Sequence, residues 1–237
     1  MLRLALFAAC ACLIALAPIS AQAQAYQCRI GQVPTAAPHI TPTGPPRNVP
    51  ATSYVLALSW SPEFCHFRKD DKQHWRQCSG RAGRFGFIVH GLWPQNPRGD
   101  PQYCRKPAAP TSHDIAKNLC VIPSVRLLAH EWARHGSCMA KRPATYFKIT
   151  RILWNSLRWP DFDHLSRRDG LTAGMIRQTF AAANPYWEPD HIGLKLNEKG
   201  WLEEMRLCYG LDYMPTHCDS GSFGPPDDKA AKIWRGL

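Results

Sequence analysis

Past its first two dozen residues the 237-residue sequence has no long apolar run, so no later segment offers the roughly 20 apolar residues that a membrane-spanning helix needs. Acidic side chains are scarce, 18 against 29 Lys and Arg. That part of the chain holds no Cys-x-x-Cys pair, which removes the usual spacing for zinc or dithiol redox chemistry. It holds no Gly-x-Ser-x-Gly elbow of the kind that displays a serine nucleophile. Nor does it show an internal repeat or a second domain.

What stands first reads as a targeting segment. Arg3 gives the basic start, residues 4–17 the apolar run, and Ala21-Gln22-Ala23 or Ala23-Gln24-Ala25 a small-residue cleavage site. The mature chain is expected to begin near Gln24 or Tyr26, in the periplasm or outside the cell. Without Arg3 there remain 28 basic and 18 acidic side chains, a formal charge of +10 that attracts polyanions and says nothing about fold. Past Cys10 and Cys12 lie eight cysteines: Cys28, Cys65, Cys78, Cys104, Cys120, Cys138, Cys208 and Cys218. An even set in an oxidising compartment predicts four disulfides and leaves no thiol nucleophile.

Residues 26–52 read as a proline-rich arm: the segment from Val33 carries Pro34, Pro38, Pro42, Pro45, Pro46 and Pro50 and has no apolar periodicity, as an extended linker or mobile arm would. Cys28 before it can tether the arm to the body. Residues 53–237 then form one domain. A first strand is expected over residues 54–60, ended by Pro62. Cys65 and Cys78 flank a basic loop that a local disulfide would hold. Residues 85–94 read as a buried strand that carries His90 to its end and turns at Gly91. A Pro- and Gly-rich loop over residues 95–110 follows. Helices are expected from Thr111 or Ser112 to Leu119, from Val125 to about His135 with Gly136 as the stop, over residues 146–157, and over residues 173–183 behind a Thr172 cap. Phe147, Ile149, Ile152, Leu153 and Trp154 would form the core side of the third. Residues 191–196 and 201–209 read as late strands, and Cys208 with Cys218 would close the next hairpin. Early strands, a helical middle and late strands fit an α+β fold with a mostly antiparallel sheet and packed helices, reinforced by disulfides.

The chemistry concentrates in His130-Glu131-Trp132-Ala133-Arg134-His135-Gly136. At about 100° per residue, the heads of His130, Glu131, Arg134 and His135 share one broad helix face. The zinc-protease motif needs histidines four apart, whereas these are five apart with a guanidinium beside them. Two histidines from different elements, with a cation and a carboxylate, suit in-line displacement at a phosphodiester. One imidazole takes the proton of the nucleophilic hydroxyl and the other protonates the leaving oxygen. A guanidinium meets the charge growing on the phosphate oxygens. No metal or other cofactor is required if the nucleophile is a 2′-hydroxyl, which would select RNA over DNA.

The stretches Phe87-Ile88-Val89-His90-Gly91-Leu92-Trp93-Pro94 and His130-Glu131-Trp132-Ala133-Arg134-His135-Gly136-Ser137-Cys138 resemble the two active-site segments of the ribonuclease T2 family, secreted endoribonucleases of α+β fold. The resemblance implies a metal-independent endoribonuclease, expected to be monomeric, that cleaves single-stranded RNA through a 2′,3′-cyclic phosphate. It implies His90 as general acid, His135 as general base, His130 as phosphate holder, and Glu131 with the next cation as stabilisers of the pentacovalent state. That cation is commonly lysine in the family and is Arg134 here, a planar fork in place of a point charge. Trp93 matches a base-stacking aromatic, and a core role for it is equally open. Gln95 and Tyr103 would line the same pocket. The resemblance pairs Cys104 with Cys138, Cys65 with Cys78 and Cys208 with Cys218, leaving Cys28 for Cys120. The competing reading is a basic polyanion-binding protein of the same fold, with Arg134 as its catalytic lesion.

Overall fold

A computed structural model describes residues 27–106 and 108–235; the targeting segment expected over residues 1–25 lies outside them. Strand-forming residues give a four-stranded antiparallel sheet of β1 (Ser53–Trp60), β2 (Phe87–Gln95), β3 (Ile192–Leu196) and β4 (Leu202–Tyr209). Its order is β2-β1-β4-β3. One face carries Leu56, Leu58, Phe87, Val89, Leu92, Met205 and Leu207 into the main core, where helices supply Ile115, Leu128, Trp132, Phe147, Leu153 and Phe180. The fold is the expected α+β arrangement.

The longer helices are α1 (Ser112–Asn118), α2 (Val125–Glu131), α3 (Pro143–Ser156) and α4 (Ala173–Ala183). Thr111 caps α1 reciprocally with Asp114, Ser124 caps α2, and Thr172 caps α4, each side chain satisfying an N–H that the helix leaves unpaired. In α3, Ile152 is 56% exposed, so it is not a core position. The apolar stripe runs instead through Tyr146, Phe147, Leu153 and Trp154.

Two expectations about chain breaks are corrected. The sheet does not turn at Gly91: β2 continues to Gln95. The pairing of Ala57 with Gly91 and of Leu58 with Val89 leaves His90 as the extra residue of a β-bulge. A bulge absorbs the glycine without ending the strand and re-aims the side chain beside it. Gly136 likewise does not stop its helix. Past α2 the chain widens into a π-helical turn, Trp132–Gly136, and goes on through Ser137–Met139. Gly136 has an ordinary helical φ of −61°. A Cβ there would lie 2.5 Å from the Trp132 ring and 2.8 Å from that of Tyr146. Close packing, and not helix termination, explains the glycine.

Four disulfides form in the expected pairing: Cys28–Cys120, Cys65–Cys78, Cys104–Cys138 and Cys208–Cys218. The proline-rich arm is extended and laid along the body. Arg47 and Gln102 exchange backbone hydrogen bonds of 2.8 and 3.0 Å, and Gln102 Nε2 donates to the Pro45 carbonyl. Gly136→Ala should cost about 1–3 kcal/mol through overpacking against Trp132 and Tyr146; urea unfolding monitored by tryptophan fluorescence measures it.

Candidate active site

The site forms where edge strand β2 meets the junction of α2 with the π turn. Tyr146, fully buried on α3, pins the strand just past the bulge: its hydroxyl accepts from Leu92 N and donates to Leu92 O, both at 3.1 Å. From the other side comes Glu131, the last residue of α2 and only 2% exposed. Its Oε2 accepts from the Trp93 indole Nε1 at 2.8 Å. Its Oε1 lies 3.8 Å from His90 Nε2, and its Oε2 lies 4.0 Å from His135 Nε2. A Cβ on Gly91 would sit 2.0 Å from Glu131 Oε2, so only glycine lets the carboxylate approach the strand this closely.

These contacts gather His90, Trp93, Glu131 and His135 into one cluster. The Trp93 ring is 5.1 Å from that of His90, edge to face, and 5.7 Å from that of His135. Trp93 also packs against Val55 and the Cys208–Cys218 bridge, so the indole combines a packing role with a hydrogen bond to Glu131. His130 is partly buried and lines an adjoining groove of about 470 Å³ with His39, Thr41, Gln73, His74 and Arg126. Arg134 Nε and His135 Nδ1 are buried atoms with no hydrogen-bond partner among the described residues. The π turn bonds i to i+5, so each residue there advances less than the 100° of an α-helix. The single face drawn from α-helical spacing is therefore only approximate past Glu131.

Tyr103 is placed differently from Trp93 and Gln95. Its φ is +49°. Its backbone N–H donates to the Arg134 carbonyl at 2.8 Å. Its hydroxyl lies 3.2 Å from Thr43 Oγ1 on the arm. The ring lines a cavity of about 360 Å³ with Pro38, Pro42, Pro46 and Trp132. Gln95 is partly buried at the end of β2, its Nε2 donating to the Pro94 carbonyl at 3.3 Å.

Electrostatics separate the two histidines. At His90 burial opposes the charge, but the hydrogen bond to Glu204 and the fields of Glu131 and Glu204 outweigh it, and its pKa is raised. At His135 burial, then Arg134, His130 and His90, push the pKa down to about 3. His130 is lowered by burial and by Arg134, His90 and Arg126. Burial lifts Glu131 to about 7, against the pull of His90, the Trp93 hydrogen bond and Arg134. One imidazole thus holds its proton and the other stays unprotonated over the same acidic range, a division of labour suited to an acid and a base.

Residues 51–163 match the Ribonuclease T2 family. A probable ribonuclease of Haemophilus influenzae is 32% identical over 186 residues, which are 72% of this chain and 62% of that protein. Over these residues the chain is similar to the ribonuclease T2 family. A ribonuclease of Aeromonas hydrophila is 43% identical over 86 residues, 36% of either chain. The chain thus spans less than two thirds of the length of these two relatives. The RNase-related protein from Calystegia sepium shares the fold, with a TM-score of 0.58 at 20% identity over 76% of this chain and 96% of that one. The fold also brings to the cluster a carboxylate that the sequence did not single out. Glu204 on β4, 6% exposed, lies 2.8 Å from His90 Nδ1 and accepts from Arg206 Nε at 2.9 Å. The available signal was an acidic residue inside an apolar strand, Leu202 to Tyr209, but adjacent Glu203 carries the same signal.

A base at His135 works above its pKa and an acid at His90 below its own. For a protein using them so, kcat/KM on a dinucleotide should rise with a midpoint near pH 3 and fall only above the ordinary histidine value of about 6.5. A stopped-point assay across pH 2.5–9 checks both limbs, as the order-of-magnitude range in which both groups titrate.

Proposed function

We propose that this protein is an exported, metal-independent endoribonuclease that cleaves single-stranded RNA by transphosphorylation through a 2′,3′-cyclic phosphate. The observation that carries this reading is the convergence of His90 and His135 on the buried Glu131, at 3.8 and 4.0 Å, where their surroundings shift the two imidazoles' pKa values in opposite directions. Neutral His135 takes the 2′-hydroxyl proton as the oxygen attacks phosphorus. Protonated His90 delivers its Nε2 proton to the departing 5′-oxygen as the P–O bond breaks, leaving a cyclic phosphate and a free 5′-hydroxyl. His130 and Arg134 hold the phosphate. Glu131, largely protonated below about pH 7, can donate to a phosphate oxygen without adding a negative charge beside it.

Arg134 keeps the cation where the family commonly has lysine, and a guanidinium binds phosphate well. Trp93 and Gln95 supply the base pocket, whereas Tyr103 is turned to the arm. RNA is the partner that the surface charge favours, and a monomer suffices because both segments come from one chain. Residues 1–25 are read as a targeting segment, 26–52 as an arm, and 53–237 as the catalytic domain. Four disulfides support an oxidising location, periplasmic or extracellular.

His90→Ala and His135→Ala should each lower kcat by at least about 100-fold, in line with loss of general acid or base catalysis, while RNA affinity stays largely intact. His130→Ala should weaken RNA affinity as well. Digestion of RNA by the unsubstituted protein should proceed undiminished in a chelator. Near-normal turnover in either of the first two variants overturns the acid and base roles; loss of activity in chelator revives a metal mechanism. No turnover at any pH between about 4 and 8, where histidine titrates, would leave a protein that binds RNA without cleaving it.

A further inference from the structure

His90 carries two ring nitrogens with different surroundings. Nε2 opens toward Glu131, while Nδ1 is 2.8 Å from Glu204 Oε2. Glu204 reaches it from β4, two strands away, across β1 residues of small size: Ala57 and Ser59 stand in register between the two strands. The carboxylate is itself held. Its Oε1 accepts from Arg206 Nε at 2.9 Å, and the same guanidinium donates to the Gly221 carbonyl at 3.0 Å. Adjacent Glu203 pairs instead with Lys195, at 3.0 Å near the surface. The alternation of strand side chains therefore gives two neighbouring glutamates different work.

We propose that Glu204 is a positioning residue for the acid: by accepting from Nδ1 it fixes the orientation and tautomer of the His90 ring, so that the transferable proton sits on Nε2. The proposal rests on the reading of His90 as the general acid. When His90 gives up its Nε2 proton to the 5′-oxygen, the neutral ring keeps its Nδ1 proton on Glu204, so the ring need not turn between the acid and resting forms. The same carboxylate stabilises the imidazolium before transfer. The charged or titratable groups facing His90 are Glu204 with Arg206 on β4, Lys195 on β3, and Glu131, His130 and His135 on the helical segment. Glu204 is the one of these bonded to the ring. Its own pKa is lowered: burial works against the charge, but the His90 and Arg206 contacts outweigh it, so it stays ionised in the working range.

The test is Glu204→Gln, which keeps the shape and removes the charge. The alkaline limb of the kcat/KM profile and the His90 imidazole resonance in an NMR titration should both move to lower pH. At a fixed pH near neutrality kcat should fall at least about 10-fold, by analogy with neutralising the orienting carboxylate of a serine-protease triad, with KM changed less than about twofold. Glu204→Asp should restore part of the upward shift. An unchanged His90 titration and alkaline limb in Glu204→Gln overturns the proposal even if kcat falls, because a merely structural role would not move them. Should Glu204→Gln fail to fold, the titration of His90 in the unsubstituted protein decides: a midpoint at or below the ordinary histidine value overturns it. His90→Ala with near-normal turnover would instead sink the acid role beneath it. An inert His90→Ala beside an unshifted Glu204→Gln rejects the positioning role alone.

Discussion

Burial of the Glu131 carboxyl is the constraint on which the rest of this site depends. A carboxylate with 2% exposure is costly unless its oxygens find partners or it takes a proton, and here both happen in part. The Trp93 indole donates to it, His90 and His135 stand within 4 Å, and burial lifts its pKa to about 7. One group thereby joins a strand and a helix that are 38 residues apart in the chain. Replacing Gly91 by any residue with a Cβ would push them apart.

Two irregularities meet at this point. The bulge at His90 and the π turn from Trp132 to Gly136 each place an extra residue where a regular element has none to spare. Both features recur at functional sites because they aim a side chain that regular geometry would not. Their cost is offset by packing around them: Tyr146 bonds both polar backbone groups of Leu92, Tyr103 N–H satisfies the Arg134 carbonyl, and the Cys104–Cys138 bridge ties the loop after β2 to the chain two residues past the turn.

Much of the fold was legible from local pattern. Apolar runs bounded by proline or glycine located the strands, and Thr111 or Ser112, Ser124 and Thr172 marked helix starts because a capping hydroxyl serves only the first turn. The resemblance supplied the disulfide pairing, which spacing alone leaves open. What stayed hidden is set by tertiary register. Gly91 and Gly136 look like stops in sequence, yet each is glycine because another side chain presses on it. Ile152 fits an apolar helix stripe and faces solvent. Glu204 could not be told from Glu203 until strand pairing aimed one at His90 and left the other at the surface. The candidate residues His90, Trp93, Glu131 and His135 do converge, whereas Tyr103 turns to the arm, whose contacts no periodicity announces.

In the proposed mechanism the substrate supplies its own nucleophile, activated by an unprotonated His135 and completed by a protonated His90. An RNA oligonucleotide carrying a single 2′-deoxy nucleotide tests it most directly. Cleavage is expected at every accessible linkage except the one on the 3′ side of that nucleotide, with 2′,3′-cyclic phosphate ends elsewhere. Cleavage at the 2′-deoxy linkage would contradict it, because water or another external nucleophile would then be doing the attack.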